Sequence, residues 1–253
     1  MATRWSNFEV DSFAVDSSAQ VVKAVAESAF QFDVGGTAFT LLAARAAYWP
    51  ERRWLVVADV HFGKAATFRA LGVPVPHGTT SETLARLTRL IEQFQPTTIV
   101  FLGDLFHARE AHATGTLATL SEWREHYASL DLVLVEGNHD RTAGATPPGL
   151  RIHTESDPWR VDTFAFCHYP RFVESAFALA GHLHPAVRVH GRADDSVRLP
   201  CFWIRGGAMG LMVLPAFGGF TGGAAIDREE GDRVVAVAED RVVEVPARRY
   251  ESL

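Results

Sequence analysis

At 253 residues, 47% hydrophobic and 21% charged, the chain has the composition of a soluble globular enzyme and room for one sizeable core. No apolar run approaches the ~20 residues that cross a bilayer, and the opening MATRWSNFEVDSFAVDSS lacks a basic segment followed by an apolar one. No membrane partner and no secretory signal are therefore expected, and the cytoplasm is the simplest address. A net charge of −6 argues against a protein that coats nucleic acid, although bound divalent cations would restore positive charge where a phosphate sits.

Residues 1–30 have no clear period and read as an N-terminal extension of uncertain order, with one domain over 31–253. Within the extension, Ala24 to Phe30 is open between a short helix and the approach to a strand. Thr40–Leu42 and Ala46–Tyr48 read as a hairpin turning near Ala43 to Arg45. Trp54–Ala58 is a continuous apolar run of the kind buried on both faces. After a Gly- and Pro-rich loop, Thr79 and Glu82 stand three apart as a capping box. The following helix puts Leu84, Leu87, Ile91 and Phe94 on one face, and Pro96 ends it. Thr97–Leu102 is the next strand, Leu117, Leu120, Trp123 and Tyr127 mark a second helix, and Leu132–Val135 is a third buried strand. Downstream come short strands at Phe164–Cys167, Phe177–Ala180, Val187–His190, Arg198–Ile204, Leu211–Leu214, Val234–Val237 and Val242–Val245. The rhythm predicts an α/β fold: a two-sheet β-sandwich flanked by helices, in a single domain.

Polar residues fall where these strands stop. Trp54–Ala58 runs into Asp59-Val60-His61, Thr97–Leu102 into Gly103-Asp104, and Leu132–Val135 into Glu136-Gly137-Asn138-His139-Asp140. Phe164–Cys167 runs into His168, and Phe177–Ala180 into Gly181-His182-Leu183-His184. Ligands of open α/β sheets sit beyond the carboxyl ends of the strands, so these groups should share one crevice. In extended backbone Asp59 and His61 would face the same side, and His182 and His184 repeat that spacing. The preceding glycines permit close backbone approach.

Carboxylate, amide and imidazole together suit Mn²⁺, Fe²⁺ or Zn²⁺ rather than calcium or a thiolate-bound zinc. Seven potential ligands exceed one tetrahedral site and match two divalent ions sharing a carboxylate. Such a pair supports in-line attack by a hydroxide held between the ions on a phosphate ester. Cys167 and Cys201 lack metal-binding spacing and read as buried free thiols.

The series Asp59-x-His61, Gly103-Asp104, Gly137-Asn138-His139-Asp140, His168 and Gly181-His182-x-His184 resembles the calcineurin-like metallophosphoesterase superfamily, with five motifs in order. The resemblance implies that Asp59, His61, Asp104 and His184 hold one metal. Asp104, Asn138, His168 and His182 would hold the other. It further implies that His139 protonates or stabilises the leaving oxygen, with Asp140 orienting it.

A narrower similarity lies in Ala58–Lys64, Gly103–Arg109, Cys167–Pro170, Gly181–Pro185, Leu199–Trp203 and Leu214–Gly218 with Thr221-Gly222-Gly223. These stretches look like the ligase-associated DNA-damage-response endonucleases of bacteria. That likeness implies a Mn²⁺-dependent phosphodiesterase acting on DNA, single-stranded by preference, associated in function with a DNA ligase and a helicase. Gly103-Asp104-Leu105-Phe106-His107 also resembles the nuclease subunit of double-strand-break repair complexes. His107 is thus either a second catalytic group or an ordinary histidine opening a helix. Lys64, Arg109 and Arg141 flank three motifs and read either as grips for a substrate phosphate or as surface charges. Phe62, Tyr169 and Trp203 read as core rather than as base-stacking platforms. His77, His112, His126, His153 and His190 read as ordinary histidines. A small nucleotide substrate and a catalytically inactive scaffold are the competing functions, and the intact motif residues speak against the scaffold.

Overall fold

The computed structural model describes residues 28–75, 78–190, 196–219 and 221–246. Most of the expected extension, His77 and the His112 side chain lie outside them. Two mixed sheets face each other. The first runs in sequence order through β1 (Ala29–Val34), β2 (Thr37–Leu42), β3 (Ala46–Trp49), β4 (Trp54–Val57), β5 (Thr98–Leu102), β6 (Asp131–Val135) and β7 (Ile152–Glu155). Its first four strands are antiparallel and β4 to β7 are parallel. The last two residues read as extension, Ala29 and Phe30, belong to β1, whose register pairs Ala29 with Leu42.

The second sheet holds β8 (Trp159–Val161), β9 (Phe164–Cys167), β10 (Phe177–Ala180), β11 (Pro185–His190), β12 (Ser196–Arg205), β13 (Leu211–Val213), β14 (Ala224–Ala225), β15 (Arg233–Ala238) and β16 (Arg241–Val245). Its order is β14-β11-β12-β13-β10-β9-β8, with β15 and β16 added on β12. β9, β10 and β13 are mutually parallel, so the ends of β9 and β10 emerge together.

Alternation along the strands explains the layers. Val56, Val100, Leu102 and Val135 point into the sandwich against Phe166, Phe177, Leu179 and Phe202. Their neighbours Leu55, Val57, Ile99, Phe101 and Leu134 point the other way, under Leu84, Leu87, Leu90, Ile91 and Leu120. Those five residues come from α2 (Thr79–Phe94) and α3 (Thr114–His126), which cover the outer face of the first sheet; α1 (Lys64–Ala70) and α4 (Asn138–Ala143) are short. Both faces of β4 to β6 are therefore dry, which is why their sequences run apolar without alternation. No described helix is long and apolar enough to cross a membrane.

Two local expectations change. The capping box at Thr79 does not form: α2 is capped by Gly78 at φ 95° without a side-chain bond, and Thr79 already lies in the first turn, where its carbonyl accepts from Thr83 Oγ1. Left-handed backbone at the cap suits glycine, so the helix begins one residue earlier than the polar pattern suggests. Secondly, Asp59 and His61 are not extended. Both have φ 52°, and Asp104, His182 and His184 have φ 50°, 71° and 49°. Their side chains are thus aimed by left-handed turns rather than by the two-residue period of a strand.

Candidate active site

Those turns sit at the carboxyl ends of β4, β5 and β10. Non-glycine residues in left-handed backbone cost on the order of 1–3 kcal/mol each and persist where the surroundings over-determine them. The surroundings here are backbone bonds between the turns. Asp59 N–H donates to Gly103 O at 3.3 Å, His61 N–H to Asp104 O at 2.8 Å, and Phe62 N–H to Leu105 O at 2.8 Å. His182 N–H donates to both Asp59 oxygens, at 3.1 and 2.8 Å. Close approach demands the glycines: a Cβ on Gly103 would stand 2.1 Å from His168 Nδ1, and one on Gly137 would stand 2.4 Å from Asp104 Oδ1.

All seven expected ligands converge, in two groups. Asp59, His61 and His184 form the first, with His61 Nε2 3.4 Å from His184 Nε2 and His184 Nε2 3.6 Å from Asp59 Oδ1. Asp104, His168 and His182 form the second, with His168 Nε2 3.1 Å from His182 Nδ1 and 2.9 Å from Asn138 Oδ1. Asp104 stands between them: Oδ2 lies 3.9 Å from His61 Nε2, and Oδ1 lies 3.5 Å from His168 Nε2. Asp59, His61, Asp104 and His168 are buried.

Buried carboxylates and imidazole nitrogens facing one another at these distances fit divalent cations, which would neutralise the acids and take the nitrogen lone pairs. Tautomers agree with that use. A carbonyl only accepts, so His168 Nδ1–H donates to Leu102 O at 3.1 Å and His184 Nδ1–H to Gly222 O at 3.2 Å. Each Nε2 lone pair then points into the cluster, as ligand histidines held by a backbone carbonyl commonly do.

Burial, reinforced by the nearby Lys64, pushes the His61 imidazole down to about 2. Burial and then His168 lower His182. Neutral imidazoles are the ligating form. In the chelated protein, unfolding exposes a His61 that binds a proton below about pH 6.5, whereas the folded ring does not. Stability is therefore present above that value and is lost as pH falls towards 2, at about 1.4 kcal/mol per pH unit from this residue. Urea midpoints of the metal-free chain should drop between pH 6.5 and 5.5, and less so in His61→Asn. A flat profile would contradict the burial of a neutral ring.

His139 lies beside the cluster, half-exposed. Its backbone N–H donates to Asp104 Oδ1 at 2.9 Å, its Nδ1–H donates to His107 O at 2.7 Å, and its Nε2 stands 4.0 Å from Asp104 Oδ2. The expectation that Asp140 orients the His139 ring is corrected. Its oxygens accept from Phe106 N–H and Gly137 N–H, both at 3.0 Å, so it ties the Asp104 loop to the Asn138 loop. Burial raises its carboxyl, and those two N–H groups oppose the rise.

His107 enters the site rather than opening a helix: Nδ1 is 3.4 Å from His61 Nδ1, and the ring stacks on His139 with centroids 4.8 Å apart. Lys64, at the start of α1, shares a cleft with His61, Thr80 and Thr221. Burial lowers its ammonium, and Asp59 and Asp104 counteract this. Arg109 is exposed beyond His107, and Arg141 faces Glu136 at 3.8 Å and donates to Tyr169 Oη at 3.3 Å. Tyr169 is only half-buried, edge-on to His182 with centroids 4.7 Å apart, while Phe62 and Trp203 pack into apolar clusters. His126, His153 and His190 are exposed, and Cys167 and Cys201 are buried free thiols pushed up to about 12 by burial.

Sequence reading missed the segment after β13 as part of the site. Phe217 N–H donates to Ala58 O at 2.7 Å and Gly218 N–H to Asp59 O at 3.1 Å, clamping the Asp59 turn. Arg86 Nη2 donates to Phe217 O and its guanidinium lies over the Phe217 ring. The available signal was an apolar strand ending in Pro215 and then four glycines, Gly218, Gly219, Gly222 and Gly223.

The profile of the calcineurin-like phosphoesterase family matches residues 52–203. The chain belongs to that family and is a metal-dependent phosphoesterase. Among solved structures, the Pseudomonas putida nuclease MPE is 40% identical, with a TM-score of 0.74 over 85% of this chain and 99% of that one. The Escherichia coli phosphoesterase Yfce is 13% identical over 76% of this chain and 97% of its own, at a TM-score of 0.37. Comparison with curated proteins gives no match.

Proposed function

We propose that the chain is a two-metal phosphodiesterase that cleaves DNA within single strands, with Mn²⁺ as its working cation. The observation that carries the two-metal reading is Asp104, one carboxylate with an oxygen facing each donor group. Asp59, His61, His184 and Asp104 would hold one cation; Asp104, Asn138, His168 and His182 would hold the other. Bound there, the cations supply Lewis-acid polarisation of the phosphoryl group and acidify water.

The chain's own residues do the rest. The His107 carbonyl keeps a proton on His139 Nδ1, so Nε2 is the atom that exchanges a proton with, or hydrogen-bonds, the leaving oxygen. Asp140 fixes the two loops that carry Asp104 and His139. His107 stands beside His139 as a second group reaching the substrate. Lys64 meets a non-bridging phosphate oxygen from within the cleft, and Arg109 and Arg141 meet the strand further out. Releasing Arg141 from its exposed pairing with Glu136 costs about 0–1 kcal/mol.

Nucleic acid as the substrate class is supported by the 40% identity to a nuclease over 85% of this chain. DNA, single-strandedness, a repair role and association with a ligase and a helicase rest on the motif resemblance. Chelated protein reloaded with Mn²⁺ should nick circular single-stranded DNA and hydrolyse bis(4-nitrophenyl) phosphate faster than the monoester. Turnover of cyclic nucleotides with circles left intact at every Mn²⁺ concentration would replace this reading with the small-nucleotide one.

A further inference from the structure

Three histidines in the site hand one ring nitrogen to the backbone. His168 uses the Leu102 carbonyl, His184 the Gly222 carbonyl and His139 the His107 carbonyl. His61 differs. Its outer nitrogen, Nδ1, meets another imidazole, with His107 Nδ1 3.4 Å away. We propose that His107 is a positioning residue for His61: its bare Nδ1 accepts the His61 Nδ1–H and thereby aims His61 Nε2 into the first donor group.

Only one of two facing nitrogens can carry the hydrogen between them. His61 Nε2 lies 3.4 Å from His184 Nε2 and 3.9 Å from Asp104 Oδ2, inside the donor group. A cation there takes the Nε2 lone pair, so the His61 proton stays on Nδ1. His107 must then present Nδ1 as an acceptor and keep its own proton on Nε2. Its ring is clamped for this purpose, stacked on His139 at an interplanar angle of 21° and on Phe68 at 16°, with centroids 4.8 and 6.1 Å apart. The same residue's carbonyl holds His139 Nδ1, so one loop position sets the orientation of a metal ligand and of the leaving-group histidine. Outer partners of ligand histidines commonly contribute ~10–100-fold in metal affinity.

This inference rests on reading Asp59, His61 and His184 as a metal site but not on the choice of DNA, so it is tested without substrate. Asparagine places its Oδ1 about where histidine has Nδ1, whereas glutamine places its terminal group about where histidine has Nε2. Chelated wild-type, His107→Asn, His107→Gln and His107→Ala proteins are titrated with Mn²⁺ by calorimetry, with thermal melting in chelator as the folding control. His107→Asn should keep wild-type affinity at both sites. His107→Gln and His107→Ala should weaken one site by ~10–100-fold and leave the other unchanged. Equal affinity in the Asn and Gln variants, or wild-type affinity in the Ala variant, would overturn the assignment. Wild-type protein that binds no Mn²⁺ would instead remove the metal-site reading beneath it.

Discussion

Asp104→Ala should abolish activity and also erase the stabilisation expected when Mn²⁺ is added to the wild-type chain. A ligand present at 100 times its dissociation constant stabilises by about 2.7 kcal/mol, and this variant should show no such rise in melting temperature. The reason is geometric: Asp104 is within 3.9 Å of His61 Nε2 through one oxygen and 3.5 Å of His168 Nε2 through the other, so its removal depletes both donor groups. Asp104 also accepts the His139 N–H at 2.9 Å, so some stability is lost even in chelator. Asp104→Asn separates the two effects, since it retains an oxygen for that N–H while removing the shared charge. It should melt near wild type in chelator and still fail to respond fully to Mn²⁺. A wild-type response in either variant would refute the shared carboxylate.

His139→Ala should behave in the opposite way. Its Nε2 is not needed to complete either donor group, so the Mn²⁺-dependent rise in melting temperature should persist. Turnover should fall by ~10²–10⁴-fold, the usual contribution of a positioned acid–base group. The fall should be larger for DNA, whose leaving alkoxide needs a proton, than for bis(4-nitrophenyl) phosphate, whose phenolate departs with little help. An equal fall on both substrates would move His139 from the leaving group to phosphate binding.

The contrast between these variants reflects how the site was written into the chain. Asp59, His61, Asp104, Asn138, His168, His182 and His184 were legible because each ends an apolar strand and side-chain chemistry alone marks it as a donor. Their convergence followed from parallel strands ending on one edge. The two-residue spacing suggested an extended backbone at Asp59 and His61, and that was wrong. Interlocked hydrogen bonds between turns hold both at φ 52°, and no residue-type preference announces such a cost. The carbonyls of Leu102, His107 and Gly222 were invisible because every residue has one. Asp140 was legible as a carboxylate beside a histidine, yet the nearest donors in space were two backbone N–H groups from different loops. The sandwich was legible in its apolar rhythm. β1 was not: it is an edge strand whose alternation begins inside a stretch of weak period, and it is recognisable through its partner β2.

The claim on which the rest depends is a pair of cation sites joined by one carboxylate. Calorimetric titration of the chelated wild-type chain with Mn²⁺ tests it most directly. Two ions per chain are expected; saturation at one, or no binding, would contradict the shared carboxylate.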